Sequence, residues 1–282
     1  MNAANGQNMP SHDATSGPEE TMSEATPKVA LVTGSARGIG LATAKRFLAD
    51  GWRVALLDID NETLNRTHNS LTGSDVIAIH CDVADAEGVA RALAIVADKF
   101  GRLDALVNNA AIALFKPILE VTYDDWSRVM AVNLTGPFLC VQAAVPLMRE
   151  SGGGAIVNIT SVSGLRASTL RTAYGTSKAG LAHLTQQQAV ELASLGIRVN
   201  AVAPGPVDTA MAKAVHSPEI RAAYHDAIPL NRYGLEQELA EAIFFLCSER
   251  ASYITGQTLA VDGGFEAAGI GLPALREDGR NT

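Results

Sequence analysis

Tyr174 and Lys178 stand four residues apart in TAYGTSKAGLAHLTQQQAVELA, a stretch of strong helical period. Four residues make about one helical turn, so both side chains leave the same face. The pairing has a chemical use. A free tyrosine has a pKa of about 10, too high for a base at neutral pH. An ammonium beside it stabilises the phenolate and lowers that value. With five tyrosines and few lysines in 282 residues, an accidental Tyr-x-x-x-Lys is expected in about one such chain in ten, and the pair alone is only suggestive. Ser161 strengthens it. It follows the apolar run AIVNIT, 13 residues before Tyr174. A hydroxyl at a strand end can hydrogen-bond a substrate oxygen, although a serine there is more commonly a turn residue. The three together suit proton exchange with an oxygen-bearing substrate.

A second constellation lies near the start of the chain, in Thr33-Gly34-Ser35-Ala36-Arg37-Gly38-Ile39-Gly40. Its spacing is G-x-x-x-G-x-G. Small residues let the backbone approach a pyrophosphate, and the helix that follows offers N–H donors and positive potential. Asp58 ends the run RVALLD, 18 residues after Gly40. A carboxylate there can accept from the adenosine ribose hydroxyls and repels a 2′-phosphate, which favours NAD over NADP. Arg37 pulls the other way, since a cation in the turn could hold that phosphate. Placing a carboxylate against a dianion is costly, and Asp58 therefore carries more weight. The bland alternative for Asp58 is an ordinary polar strand end. Asp82 and Val83 follow the third apolar run, at the height of an adenine ring. Asn108 and Asn109 follow the fourth, where they either approach a cofactor or knit the sheet edge.

These residues need elements to hold them. Short β-branched runs at 29–33, 53–58, 76–81, 103–109, 155–160, 197–204 and 257–261 alternate with helical segments. Gly51, Gly101 and Gly196 stop helices before strands, because glycine accepts a left-handed conformation cheaply. The strands are apolar on both faces, as in a parallel sheet covered on both sides. The pattern predicts a Rossmann-like, doubly wound α/β sheet in three layers, forming a single domain over 28–265. Right-handed crossovers then bring all strand C-terminal ends to one edge. Residues 206–230 break the rhythm with prolines and several charges, and are expected to form a mobile helical flap over that edge.

Composition limits the alternatives. The net charge of -8 does not suit a nucleic-acid backbone or an anionic membrane. No apolar run in the sequence reaches membrane-spanning length by inspection. Cys81, Cys140 and Cys247 are far apart and odd in number, which reads as reduced, mostly buried thiols in a cytoplasmic protein. Residues 1–27 lack any apolar period and read as a disordered tail, with neither signal-peptide nor presequence character. Residues 266–282 form a C-terminal tail, and the segment FEAAGIGLPALRE is apolar enough to dock on a neighbouring subunit. His183, His216 and His225 have no metal-ligand spacing, and no metal is expected.

TGSARGIG (33–40), NNAA (108–111), Asn133 in VNLTG, the serine of NITSVSG, YGTSK (174–178) and PGPVDT (204–209) occur in one order. In that order the chain resembles the short-chain dehydrogenase/reductase family from residue 28 to about 265. The resemblance implies an NAD-dependent oxidoreductase interconverting a secondary alcohol and a ketone. Tyr174 would exchange the proton with the substrate oxygen. Lys178 would lower the tyrosine pKa and bind the nicotinamide ribose. Ser161 would hold the substrate oxygen, and Asn133 would support a water chain past Lys178. Pro204, Val207 and Thr209 would lie at the nicotinamide, with Gly34, Arg37, Gly38, Ile39, Gly40, Asp58, Asp82, Val83 and Asn109 along the rest of the cofactor. Ala111 replaces the family's usual glycine and would trim the pocket. The family is commonly tetrameric through helices equivalent to 125–150 and 173–195 and through the C-terminal strand, which implies a homotetramer. Two other readings stand beside this one: an NADPH-dependent 3-oxoacyl-type reductase, and a non-catalytic protein that senses NAD. The substrate itself is not legible; the expected pocket segments, 111–115, 163–171 and the flap at 206–230, mix Ile112, Leu114 and Leu165 with Arg166 and Arg171.

Overall fold

The computed structural model describes residues 26–71, 73 and 75–269. The expected N-terminal tail and the segment from 270 onward therefore lie outside the described residues, apart from 26–27. The first half runs β1 (Val29–Thr33), α1 (Gly38–Ala49), β2 (Arg53–Asp58), α2 (Asn61–Ser70), β3 (Val76–His80), α3 (Ala86–Phe100) and β4 (Ala105–Asn108). The second half runs α4 (Tyr123–Met130), α5 (Gly136–Glu150), β5 (Gly154–Ile159), α6 (Val162–Leu165), α7 (Thr172–Leu192), β6 (Ile197–Pro204), α8 (Ala210–Val215), α9 (Pro218–Ala227), α10 (Glu236–Cys247) and β7 (Thr258–Val261).

The seven strands form one sheet in the order β3-β2-β1-β4-β5-β6-β7, and every pairing is parallel. The chain winds outward from β1 to β3, then returns to the other side of β1 with β4. That reversal opens a crevice at the carboxyl ends of β1 and β4, where ligands bind in such sheets. Alternate residues of β1 serve opposite layers. Ala30 and Val32 pack with Phe47, Trp52 and Phe244 on one face. Val29 and Leu31 pack with Val96, Ala144 and Met148 on the other. Burial on both faces explains why these strands read as unbroken apolar runs. The first layer is pinned by rings: Phe47 lies 4.9 Å from Trp52 and 5.3 Å from Phe244, and the Arg46 guanidinium sits 3.8 Å from the Phe244 centroid.

Helix stops fall where expected. Gly101 and Gly196 both adopt φ of 71°, and Gly51 adopts 77°. One expectation needs correcting. Tyr123–Glu150 is continuous through a π-helical turn at Ala131–Thr135, and these 28 residues are long and apolar enough by composition to cross a membrane. A core helix of the same length passes that test as well. Here Cys140, Val141, Ala144 and Met148 are buried in the second layer, and that packing accounts for the hydropathy. The flap segment is helical, as α8 and α9.

Candidate active site

The glycine turn is held open by its neighbours. Gly34 has φ of +62°, and a Cβ there would come within 2.8 Å of the Ala110 Cα. A Cβ on Gly40 would meet the Gly34 carbonyl oxygen at 2.3 Å. Both positions therefore exclude a side chain. Arg37 precedes α1 without capping it through its side chain. The first N–H groups of that helix have no intrahelical partners, which makes them donors for an anion. Ile39 lies in this first turn. A pyrophosphate fits such a cradle on steric and electrostatic grounds.

The residues expected along the cofactor also have structural duties. Asn109 Nδ2 donates to the carbonyls of Thr33 and Gly34, each at 2.9 Å, and so fixes the turn against β4. Asn108 Nδ2 donates to Asn158 Oδ1 at 2.8 Å, which knits the sheet edge. Asp58 accepts from the Ala36 amide at 2.9 Å and from the Asp60 amide at 3.0 Å. Arg37 pairs with Asp60 at 3.1 Å. Asp60 also caps α2 by accepting from Thr63, and these bonds, with Arg37 a smaller contributor, hold its carboxyl below the usual range. Asp82 accepts from the Ala84 amide at 3.0 Å and from Arg128 at 2.9 Å. Val83 is buried against Gly136, where a Cβ would meet Val83 Cγ2 at 2.8 Å.

Across the crevice, α7 carries Tyr174 and Lys178 toward the end of β5, and Ser161 caps α6 from that same strand end. Lys178 is 2% exposed, and its Nζ donates to the Ile159 carbonyl at 2.7 Å. Burial pushes this ammonium down to about 7. Tyr174 is pushed up by burial and drawn back by a hydrogen bond from the Ser161 side chain and by the charge of Arg171. Lys178 Nζ lies 5.8 Å from the Tyr174 ring centroid.

Asn133 sits fully buried in the π-helical turn. Such turns concentrate at functional sites. Its Nδ2 donates to the Ile112 carbonyl at 2.9 Å and to Ser177 Oγ at 3.1 Å, while Oδ1 accepts from the Ile112 amide at 2.9 Å. It thereby ties the loop after β4 to the residue next to Lys178. Pro204 ends β6, Val207 is buried and bridges Gly234, and Thr209 caps α8 by accepting from the Ala212 amide at 3.1 Å. Three residues gain importance from the structure: Ser163, Tyr224 and Arg171. Arg171 Nη1 donates to Ser163 Oγ at 3.1 Å and Nη2 to Tyr224 OH at 3.3 Å. Its position three residues before Tyr174 was the available sequence signal. Tyr224 offered none, because the flap has no strong period.

Comparison with known proteins agrees with this geometry. A family model described as enoyl-(acyl carrier protein) reductase matches residues 34–266. The chain is 42% identical over 247 residues to 2-(R)-hydroxypropyl-CoM dehydrogenase of Xanthobacter autotrophicus, covering 85% of this chain and 99% of that protein. It is 41% identical over 247 residues to a 3-oxoacyl-[acyl-carrier-protein] reductase of Synechocystis, covering 86% and 98%. Among solved structures, one described as a gluconate dehydrogenase from Agrobacterium tumefaciens superposes with a TM-score of 0.82 at 35% identity, covering 85% and 96%.

Proposed function

This chain belongs to the short-chain dehydrogenase/reductase family and is an oxidoreductase, and from that premise we propose that it interconverts a secondary alcohol and a ketone with NAD and Tyr174 as the proton exchanger. The observation that carries the reading is the convergence of Ser161, Tyr174 and Lys178 at the crevice beside the glycine turn. The nicotinamide cofactor, when bound, supplies or accepts the hydride. The protein's own work is the proton and the orientation. Ser161, near enough to Tyr174 to draw its phenol down, is placed to share a substrate oxygen with it. In oxidation Tyr174 takes the alcohol proton, and in reduction it returns one. Lys178 spends one of its three N–H donors on Ile159, which leaves two for ribose hydroxyls. Asn133 holds the α7 side of the site in register through Ser177, and a proton relay past Lys178 would start from there. Pro204, Val207 and Thr209 would flank the nicotinamide end.

The preference for NAD rests on charge. Asp58 and Asp60 together outweigh the single Arg37, and Asp60 already engages that cation. A 2′-phosphate would meet net negative charge. An NADPH-dependent 3-oxoacyl reductase is the second reading. It draws on the Synechocystis relative and on Arg37, which is 68% exposed and could turn toward a phosphate. A protein that only sensed the dinucleotide would have no need of Ser161, Tyr174 and Lys178 together. A cytoplasmic homotetramer completes the proposal. The three cysteines are free and buried, as a reducing compartment allows. Phe138 of α5 and Val190 of α7 expose apolar surface to a partner, testable by light scattering.

A panel of secondary alcohols and ketones, followed at the NADH absorbance band with NAD and NADP in parallel, tests the proposal. Turnover of at least one alcohol with NAD is expected. Activity confined to NADPH and 3-oxoacyl thioesters would move the assignment to the second reading.

A further inference from the structure

Among the described residues, Arg171 is a cation without a counter-charge at the mouth of this site. Its two terminal nitrogens rest on neutral hydroxyls, those of Ser163 and Tyr224. Its Nε is buried and has no hydrogen-bond partner. Its Cζ lies 5.0 Å from the centroid of the Phe115 ring. Among the described residues no acid pairs with it. The acids of the flap are placed elsewhere: Asp208 bridges Lys213 and Arg221, Asp226 lines a groove with Arg166, and Glu219 starts α9. A second arginine nearby, Arg221, also leaves a buried N–H unmade, at Nη1.

The surroundings concentrate positive potential. Lys213 and Arg221 share the single carboxylate of Asp208, in a chain whose net charge is -8. His216 lies between the two arginines: it stacks on Tyr224 at 5.3 Å and bonds Tyr233 OH at 3.0 Å, while Arg221 sits over Tyr233 at 4.3 Å. Burial, then Arg171 and Arg221, hold the His216 imidazole below its ordinary value, so it stays neutral near pH 7. The backbone contributes too. Leu170 adopts φ of +62°, an uncommon conformation for leucine, immediately before Arg171.

The location ties this cation to the reacting oxygen. Arg171 is one turn ahead of Tyr174, and its partner Ser163 donates its amide to Ser161 Oγ at 3.1 Å. An unpaired guanidinium with a buried, unused donor is costly unless a ligand completes it. We propose that Arg171 is a specificity-determining residue that binds an anionic head group, carboxylate or sulfonate, on the substrate of the alcohol/ketone site. This rests on the reaction proposed above and narrows its substrate to a hydroxy acid or the corresponding oxo acid. The guanidinium grips the head group while Ser161 and Tyr174 hold the oxygen at the other end.

The test uses paired substrates on the full chain. Secondary hydroxy acids from 3-hydroxybutyrate to 6-hydroxyheptanoate are each compared with their methyl esters, and with 2-hydroxyalkanesulfonates of matching length. For the best length, kcat/KM for the acid should exceed that for the ester by about 10- to 100-fold, the value of a charge-assisted contact. A sulfonate preference over the carboxylate would identify the tetrahedral head group as the natural one. Arg171→Met should collapse the acid-to-ester ratio toward one, chiefly through KM, and Arg171→Lys should keep part of it. An NADH fluorescence titration of each variant confirms that the fold and cofactor site persist. If the wild type turns over esters as well as acids, the inference fails while the alcohol/ketone reading stands. It also fails if Arg171→Met lowers both members of a pair equally. If no alcohol or ketone of any charge is turned over with NAD or NADP, the underlying reading fails and the inference falls with it.

Discussion

Around the glycine turn, polar side chains are committed to the protein itself. Asn109 spends its amide on two carbonyls, Asp58 accepts two backbone amides, and Asp60 caps α2 while pairing with Arg37. Across the crevice the pattern is different. Lys178 makes one hydrogen bond, and Arg171 and Arg221 each keep a buried donor unmade. The first region is a finished mould whose shape does the binding. Among the described residues, the second holds unsatisfied donors and buried charge of the kind a bound substrate and cofactor would complete. Such a site trades stability for chemistry.

Three changes would sharpen or break that contrast. Gly40→Ala should have the largest effect. Its Cβ would sit 2.3 Å from a backbone carbonyl, which cannot move without opening the turn. Loss of measurable NADH binding is expected, with destabilisation of about 2–3 kcal/mol by chemical denaturation. Retained binding would show the mould to be softer than described. Lys178→Met should act in the opposite sense on stability. Burial lowers this group from 10.5 to about 7. Between those values the unfolded chain holds a proton that the folded chain lacks, so stability rises with pH across that window, and below it the burial penalty is present in full. The variant should abolish turnover, raise the unfolding free energy at pH 7 by about 2 kcal/mol, and flatten the dependence between pH 7 and 10. Urea unfolding across that range reads it, and a destabilised variant would contradict the account. Asp58→Ala has the smallest expected effect: about a tenfold shift of kcat/KM toward NADP relative to NAD. An unchanged preference would remove Asp58 from the discrimination.

The sequence made most of the fold legible because both faces of the sheet are buried, so each strand appears as an apolar run ended by a glycine stop. β1, β2 and β6 match their expected limits, and the others shift by one or two residues. Tyr174, Lys178 and Ser161 were legible because helical spacing and a strand end bring them together. The roles of Asn109 and Asn133 were only half legible. Their hydrogen bonds reach partners 76 and 44 residues away, and no local pattern encodes such contacts. Spacing puts Lys178 on the right face, but burial and the Ile159 carbonyl decide where its charge points and how much of it survives.

The most direct test of the central claim is a single-turnover measurement on Tyr174→Phe. The substituted protein should bind NADH with affinity close to wild type, because the mould around Gly34, Gly40 and Asp58 is untouched. Its hydride-transfer rate on any ketone that the wild type reduces should fall by about 1,000-fold or more. Tyr174→Phe that reduces the same ketone at the wild-type rate would contradict the assignment of the proton to this residue.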